Sequence, residues 1–251
     1  PIDKWVFYDD NSTDNTVEMI KESFGERSVV LNDNLPKFHE AYHRARMFEY
    51  SRELGADFAL CIDADELMST SMLVDFNKIL NSSYDYDFLY SLYWYNVVGD
   101  LKSIRQDAAY LNNYKEFLVP IRRAGQFDLR NWKHHAPRTP PCFGVNRVTS
   151  KEYGIIHLQS INKEYYALKQ LWYKHKEFVE YGHSLERVNS YYDPVVNSLN
   201  FQEVTTPPGI VDGINFDPSI YNKMASIKGY KQYILENRVE GLITFGKEFL
   251  N

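Results

Sequence analysis

Short apolar runs alternate with amphipathic stretches in the first quarter of the chain. Residues 5–8, 28–31 and 58–62 are apolar runs of strand length, and both intervals between them carry apolar residues at helical spacing. Strands separated by helices and short links are typical of a parallel sheet covered by helices. The pattern therefore predicts an α/β fold that begins strand–helix–strand–helix–strand.

The pattern is less regular beyond residue 70. In chain order it predicts a helix near 71–80, a strand over 87–96, short strands and long loops through 97–154, a strand over 153–158, a helix over 162–181, an extended wrap over 183–225 and a helix over 229–250. No repeat or low-complexity tract interrupts this order.

Carboxylates follow two of the predicted strands. Asp9 and Asp10 come after the first apolar run, and Asp63 and Asp65 come after the third. Alternate strand residues face the same way, so Asp63 and Asp65 share a side. Open α/β sheets bind ligands beyond the carboxyl ends of their strands, so both clusters can line one cleft. Two hard oxygen ligands there suit Mg²⁺ or Mn²⁺, and His157, at the end of a later strand, could add a nitrogen ligand.

The same residues have structural alternatives. Asp65 or Glu66 could open the following helix as an N-cap, because short acidic side chains accept hydrogen bonds from the first free N–H groups. His157 could be a hydrogen-bonded core histidine with no ligand at all. The residue pattern leaves these alternatives open.

Composition excludes several classes. The 251 residues are 44% hydrophobic, which is enough to form the core of one large domain. The net charge of −6 means that nucleic acid is not an expected partner. The two cysteines make no disulfide framework, which favours a reducing, cytoplasmic compartment. No apolar run has transmembrane length, so no integral membrane segment is expected. Gly-rich phosphate loops and the Gly-x-Ser-x-Gly elbow of hydrolases are absent from the sequence.

Two motifs carry a family resemblance. Residues 8–16 read Y-D-D-N-S-T-D-N-T, and residues 63–66 read D-A-D-E. The first resembles the D-D-x-S-x-D turn of family-two-type glycosyltransferases with the GT-A fold, and the second resembles their D-x-D metal motif. The resemblance covers roughly residues 5 to 160. It implies a GT-A-like, Rossmann-like, mostly parallel sheet flanked by helices, with a C-terminal helical extension.

The resemblance assigns roles in nucleotide binding. It implies that Asp10 contacts the nucleotide base, with Asp9 beside it. A basic residue between the two motifs often touches the nucleotide in this family, and the candidates here are Lys37, Arg44 and Arg46.

The resemblance also assigns a metal site. It implies that Asp65 binds the Mn²⁺ or Mg²⁺ ion that bridges the diphosphate of the donor, while Asp63 lies towards the ribose or the metal. A late histidine commonly completes such a site, and His157 stands where it is expected.

The implied reaction transfers a sugar from a nucleoside-diphosphate sugar to the hydroxyl of a carbohydrate or other acceptor, with inversion. Such a reaction needs a general base near the acceptor hydroxyl. The candidates are Asp128, His134 and His135, and Asp128 is favoured because inverting relatives use a carboxylate. Lys169 and Lys174 could add positive charge near the phosphates, although a solvated helix face is their other interpretation.

The predicted organisation is a catalytic domain over 1–160, with nucleotide-binding and acceptor halves of about 1–95 and 96–160, and a helical extension over 161–251. The family's first strand is expected to lie before residue 1, and its E-D base motif is not recognisable. Two other function classes stay open. One is a nucleotidyltransferase that makes a nucleotide-sugar, and the other is a non-catalytic sugar-binding module.

Overall fold

The structure is a computed structural model that describes residues 2–35, 37–107, 112–130, 135–197, 202–217 and 225–243. Its elements confirm a mixed α/β fold. The strands are β1 (Trp5–Tyr8), β2 (Ser28–Leu31), β3 (Phe58–Leu60), β4 (Glu66–Met68), β5 (Phe88–Val98), β6 (Ser103–Arg105), β7 (Tyr114–Pro120), β8 (Asn146–His157) and β9 (Glu203–Thr205). The helices are α1 (Thr16–Phe24), α2 (Glu40–Glu53), α3 (Thr70–Tyr86), α4 (Lys163–Val179), α5 (Leu185–Asn197) and α6 (Ala225–Glu236).

Two compact units divide the chain, and each is built from separate segments. Unit 1 comprises Pro1–Ala64, Ser71–Tyr93 and Tyr114–Tyr153, whereas unit 2 comprises Asp65–Thr70, Trp94–Asn113 and Gly154–Asn251. The D-x-D motif is therefore divided, with its first aspartate in unit 1 and its second in unit 2. The predicted domain boundary near residue 160 stays a prediction.

The start of unit 1 follows the predicted strand–helix–strand order. β1 and β2 form a parallel pair with Trp5 opposite Ser28. Helix α1 packs its last residue, Phe24, on the rings of Trp5 and Phe7, with centroid distances of 4.8 and 5.2 Å. Gly25 then ends the helix at a φ of 54°, a conformation that glycine adopts without steric cost.

The prediction of a mostly parallel sheet is wrong for the strands that follow. β3 pairs with β7, and β7 with β5, and both pairings are antiparallel. In unit 2, β4 pairs with β8, β5 with β6, and β6 with β9, again antiparallel. The reason is long-range: β7 lies in the stretch that was predicted as loops and short strands, and periodicity within β3 does not specify its partner.

The core of unit 1 joins α2 to this antiparallel sheet. Phe48 of α2, Leu89 of β5 and Val119 of β7 are at most 5% exposed and pack together. Ala59 and Cys61 add apolar surface from β3 and the residue after it. The strand that leads to Asp63 is therefore anchored on one side by a helix and on the other by β7.

Helices build the core of unit 2 in two clusters. The first cluster joins α4 to α6, and the second joins α4 and α5 to the residues after α6. The buried members of these clusters are Leu168, Leu171, Ile234, Val188, Tyr192 and Leu242. Within the described residues, no helix combines the length and the apolar character needed to cross a membrane.

The predicted extended wrap over 183–225 is wrong at its start, because α5 occupies 185–197. Ser184 opens this helix, with its hydroxyl accepting from the backbone N–H of Arg187 at 3.2 Å. Val188 and Tyr192 are fully buried four residues apart, on one helical face. Pro194 lies inside the helix and misled the prediction, since proline usually disrupts helix interiors.

Candidate functional site

Asp65 and His157 meet at a strand pair in unit 2. Glu66 of β4 lies opposite His157 of β8, and the backbone N–H of Leu158 donates to the Asp65 carbonyl at 2.9 Å. This pairing brings Nε2 of His157 to 3.5 Å from Oδ2 of Asp65. The histidine is 4% exposed, whereas the aspartate side chain keeps 23% of its surface exposed. The structure thus places two of the predicted metal ligands side by side.

Asn96 determines which nitrogen of His157 carries a proton. The amide nitrogen of Asn96 donates to the Trp94 carbonyl at 3.1 Å, so its oxygen faces Nδ1 of His157 at 2.7 Å. An amide oxygen only accepts hydrogen bonds, so Nδ1 must be the donor. In the neutral imidazole, Nε2 then carries a lone pair and faces a carboxylate oxygen. Two acceptors in this arrangement repel each other unless a proton or a metal cation lies between them.

Trp94 fixes the plane of the imidazole. The indole and imidazole rings stack with centroids 4.2 Å apart and planes 19° apart. The indole N–H donates to Oε1 of Glu66 at 2.7 Å, and Glu66 is 3% exposed. Outer partners of this kind orient the histidines that bind metals in proteins. The His157 ring is therefore held by strand pairing, by an amide and by a stacked indole.

Lys169 of α4 provides a positive charge at the same carboxylate. Its Nζ donates to Oδ2 of Asp65 at 3.2 Å. Burial alone would raise the pKa of Asp65, but the ammonium of Lys169 holds that pKa well below its ordinary value. Asp65 is therefore an anion at neutral pH, and it has a basic partner on two sides.

Asp65 and His157 could hold a divalent cation only together with further ligands. Among the described residues, no group of three or more His, Cys, Asp or Glu side chains is arranged to hold a metal ion. A nitrogen and an oxygen that each lie about 2.1 Å from one ion, at a right angle, are roughly 3 Å apart. The 3.5 Å between His157 and Asp65 is close to that separation. Magnesium commonly takes one or two protein ligands and completes its shell with water and substrate phosphates.

Asp10 lies against a buried histidine in unit 1. Oδ1 of Asp10 is 3.6 Å from Nε2 of His43, which has no hydrogen-bond partner in the described part of the chain. His43 is 7% exposed and its ring stacks on Tyr8, with centroids 4.0 Å apart. Burial lowers the pKa of His43, although the Asp10 carboxylate opposes that shift. The Asp10 side chain is 40% exposed, so it can meet a ligand.

Asp9 stabilises the turn itself. Its Oδ2 accepts from the backbone N–H of Ser12 and from the side-chain amide of Asn32, each at 3.2 Å. The same Asn32 amide donates to Asn11 at 3.1 Å, and Asn11 has a φ of 60°, in the left-handed region that asparagine tolerates. Asp9 therefore shapes the loop that presents Asp10.

Asp63 is held by two arginines in unit 1. Nη2 of Arg44 lies 3.2 Å from its Oδ1, and Nη2 of Arg138 lies 3.1 Å from its Oδ2. Both arginine side chains are about nine-tenths buried, at 10% and 11% exposure. Glu40, one turn earlier on α2, accepts from Nε and Nη2 of Arg44 at 3.1 and 2.6 Å. The orientation of Asp63 is therefore fixed by charge-assisted hydrogen bonds.

Consecutive residues of α2 contact both acidic motifs of unit 1. His43 lies against Asp10, and the next residue, Arg44, binds Asp63. A helix turns by about 100° per residue, so two consecutive side chains leave it in different directions and can contact two different loops. α2 is thus the element that positions both predicted nucleotide contacts.

The remaining predicted residues of unit 1 lie on exposed loops. Lys37 is exposed in the loop before α2, and His135 is exposed with a φ of 56°. The Asp128 carboxylate accepts three hydrogen bonds, at 3.0, 3.0 and 3.3 Å, from the backbone and guanidinium of Arg130. The structure assigns no substrate-facing geometry to these side chains, and His134 lies outside the described residues.

Arg46 and Lys174 are engaged elsewhere. Arg46 donates to Asp33 at 3.2 Å and to Glu49 at 3.0 Å, on the outer side of α2. Lys174 is fully buried and contacts Asp193 at 2.6 Å. Of the two lysines predicted to add charge near the phosphates, Lys169 alone lies at the D-x-D carboxylate in the described structure.

Sequence reasoning missed Asn96, Trp94, His43 and Arg138. The sequence does contain a signal for two of them. Trp94 and Asn96 are two positions apart on a predicted strand, so their side chains are expected to lie on the same face. No local signal marks Arg138, which is 75 positions from its partner Asp63 along the chain. His43 lies in a predicted helix but away from its apolar stripe, so no local pattern marks it.

Comparison of the sequence with protein-family models gives no match, and comparison with curated proteins gives none either.

Proposed function

We propose that the chain is a metal-dependent glycosyltransferase of the GT-A type that transfers a sugar from a nucleoside-diphosphate sugar to an acceptor hydroxyl, with inversion. The observation that supports this most is the position of His157 Nε2, which lies 3.5 Å from Oδ2 of Asp65. A divalent cation could be held between these two atoms. The two motifs of the sequence supply the substrate class, since such a cation suits a diphosphate.

Asp65 and His157 would hold Mn²⁺ or Mg²⁺, and Asn96 and Trp94 keep the imidazole in place. When bound, the ion would neutralise the departing diphosphate as a Lewis acid. Lys169 adds a fixed positive charge beside Asp65, where it stabilises negative charge on phosphate oxygens.

Residues of unit 1 would bind the nucleoside. Asp10 accepts a hydrogen bond from the base, a task that suits an acceptor-only carboxylate. Asp63, held by Arg44 and Arg138, accepts from a ribose hydroxyl. Lys37, in the loop before α2, would lie at the outer edge of this site. The parallel pair β1–β2 with α1 between them supports a GT-A-type nucleotide-binding half.

The general base for an inverting reaction would be Asp128, with His135 as the second candidate. We expect Asp128→Asn to abolish sugar transfer while donor binding persists, because the base acts on the acceptor hydroxyl only. His135→Gln should then retain transfer. The reverse outcome would move the assignment to His135, and full activity in both variants would exclude both residues.

A thermal-shift panel of nucleoside diphosphates, each with and without Mn²⁺, tests the proposal. One diphosphate should raise the melting temperature only when Mn²⁺ is present, because ligands that bind the native state stabilise it. Asp65→Ala should abolish this shift. Asp100→Ala, which removes an exposed carboxylate, should retain it.

Two outcomes would overturn the proposal. If no nucleoside diphosphate changes the melting temperature, a nucleoside-diphosphate sugar is excluded as the donor. A shift with free sugars that does not depend on metal would instead identify a sugar-binding module.

A further inference from the structure

One oxygen of Asp65 serves two basic partners. Oδ2 lies 3.2 Å from the ammonium of Lys169 and 3.5 Å from Nε2 of His157. Oδ2 is the oxygen through which Asp65 would share a cation with His157. The lysine thus contacts the very atom that a metal ion at this pair would need.

Lys169 is held where it is by its surroundings. It lies on the first half of α4, which Asn162 caps by accepting from the N–H of Tyr165 at 2.8 Å. The lysine side chain is 15% exposed, and its ammonium lies 5.8 Å from the centre of the Tyr173 ring. The mostly buried stem keeps the ammonium beside Asp65.

The ammonium lies in direct contact with a carboxylate. Nζ of Lys169 is 3.2 Å from Oδ2 of Asp65, and an opposite charge at this distance favours the charged form of a lysine. The site therefore contains one full positive charge before any ligand binds. A metal cation arriving at Asp65 meets this charge at close range.

We propose that Lys169 is the resident counter-ion of Asp65: it opposes the metal when the diphosphate is absent and contacts the diphosphate when metal and nucleotide bind together. This role of Lys169 rests on the proposed function, and it makes metal binding and nucleotide binding depend on each other. With a diphosphate present, both cations face an anion and their mutual repulsion is offset. Metal and nucleotide would therefore bind cooperatively, and neither would bind well alone.

Replacing Lys169 should change the two affinities in opposite directions. In Lys169→Met, Mn²⁺ alone should bind at least about tenfold more tightly, because a like charge next to the ligand oxygen is removed. The same variant should bind nucleoside diphosphate, in saturating Mn²⁺, about tenfold more weakly, because a phosphate contact is lost. A residue with a purely structural role would not produce this reversal.

The measurement is the electron paramagnetic resonance signal of free Mn²⁺ during titration, which reports metal binding without any turnover. Lys169→Gln provides a second neutral variant, and Lys169→Arg, which keeps the charge, should bind Mn²⁺ as weakly as the native protein. Lys176→Met is the matched control, since Lys176 lies on the same helix over the Trp172 ring, 4.7 Å from its centre. Circular dichroism identifies which variants are folded.

Each result has a defined meaning. Tighter Mn²⁺ binding in a folded neutral variant, with weaker diphosphate binding, supports the counter-ion role. Unchanged or weaker Mn²⁺ binding in both neutral variants overturns it, while cooperative Mn²⁺ and diphosphate binding by the native protein would leave the proposed function standing. Absence of that cooperative binding in the native protein would overturn the proposed function itself.

Discussion

Asn96→Leu tests the proposed metal pair, because Asn96 contacts the imidazole nitrogen of His157 that faces away from Asp65. The substitution keeps approximately the volume of a side chain that is 2% exposed, but it removes the oxygen that faces Nδ1 of His157 at 2.7 Å. Without that acceptor, the imidazole can adopt the other tautomer, with its proton on Nε2. Nε2 would then donate to Asp65 and would no longer offer a lone pair to a metal.

The expected effect is large enough to measure. Loss of an outer partner of a metal-ligating histidine typically reduces metal affinity by about 10–100-fold, or about 1.4–2.8 kcal/mol. In that tautomer Nδ1 is a buried acceptor without a donor, which costs a further 1–3 kcal/mol or so of folding stability. We therefore expect weaker Mn²⁺ binding together with a lower melting temperature.

Titration with Mn²⁺ in saturating nucleoside diphosphate, followed calorimetrically, separates the two effects. Asn146→Leu is the control for stability alone, because it removes an amide hydrogen bond of 2.7 Å to the Tyr86 carbonyl in unit 1. Asn96→Asp should bind Mn²⁺ at least as well as the native protein, since a carboxylate makes the histidine a stronger ligand. Affinity of Asn96→Leu within about twofold of the native value would refute the tautomer argument.

Three further predictions concern stability and reactivity. The pKa of Asp65 is lower in the folded state than in the unfolded one, so its stabilisation is present above about pH 4 and is lost as the pH falls through the folded pKa. Urea unfolding of Asp65→Asn should thus show a loss of about 3 kcal/mol at neutral pH that shrinks under acid conditions. Burial raises the pKa of the Cys61 thiol to about 12, so iodoacetamide should leave it unmodified in the folded protein and alkylate it in denaturant, as read by mass spectrometry. Tyr192→Phe should destabilise the protein by about 1–3 kcal/mol in urea, because the buried hydroxyl donates to Glu177 at 2.7 Å; exposed Tyr191→Phe is its control.

The types of several helices and strands could be predicted from the sequence, whereas the pairing of the strands could not. The apolar runs of β1, β2 and β3 and the stripe of α4 give the element types, because burial of one face leaves a periodic pattern. The pairing of β3 with β7 depends on residues about 60 positions away, which no local pattern specifies. The helix α5 was missed because Pro194 lies inside it, and proline usually disrupts helix interiors.

The candidate site divides in the same way. Carboxylates at the ends of apolar runs marked Asp10 and Asp65 as candidate ligand-binding positions. The partners that give them geometry, among them Asn96 and His43, come from other elements and carry no motif. Sequence therefore indicated which atoms could bind a ligand, and the structure added what orients them and what competes for them.

The proposed function requires that one metal ion binds His157 and a nucleoside diphosphate at the same time. Pulsed electron paramagnetic resonance of Mn²⁺ measures this directly, because couplings to ¹⁴N and ³¹P report the imidazole and the phosphates separately. The protein with Mn²⁺ and the diphosphate that gives the largest thermal shift should show both couplings, and His157→Gln should lose the ¹⁴N coupling. A ³¹P coupling without ¹⁴N in the native protein would mean that the metal binds the nucleotide alone, and it would contradict the account.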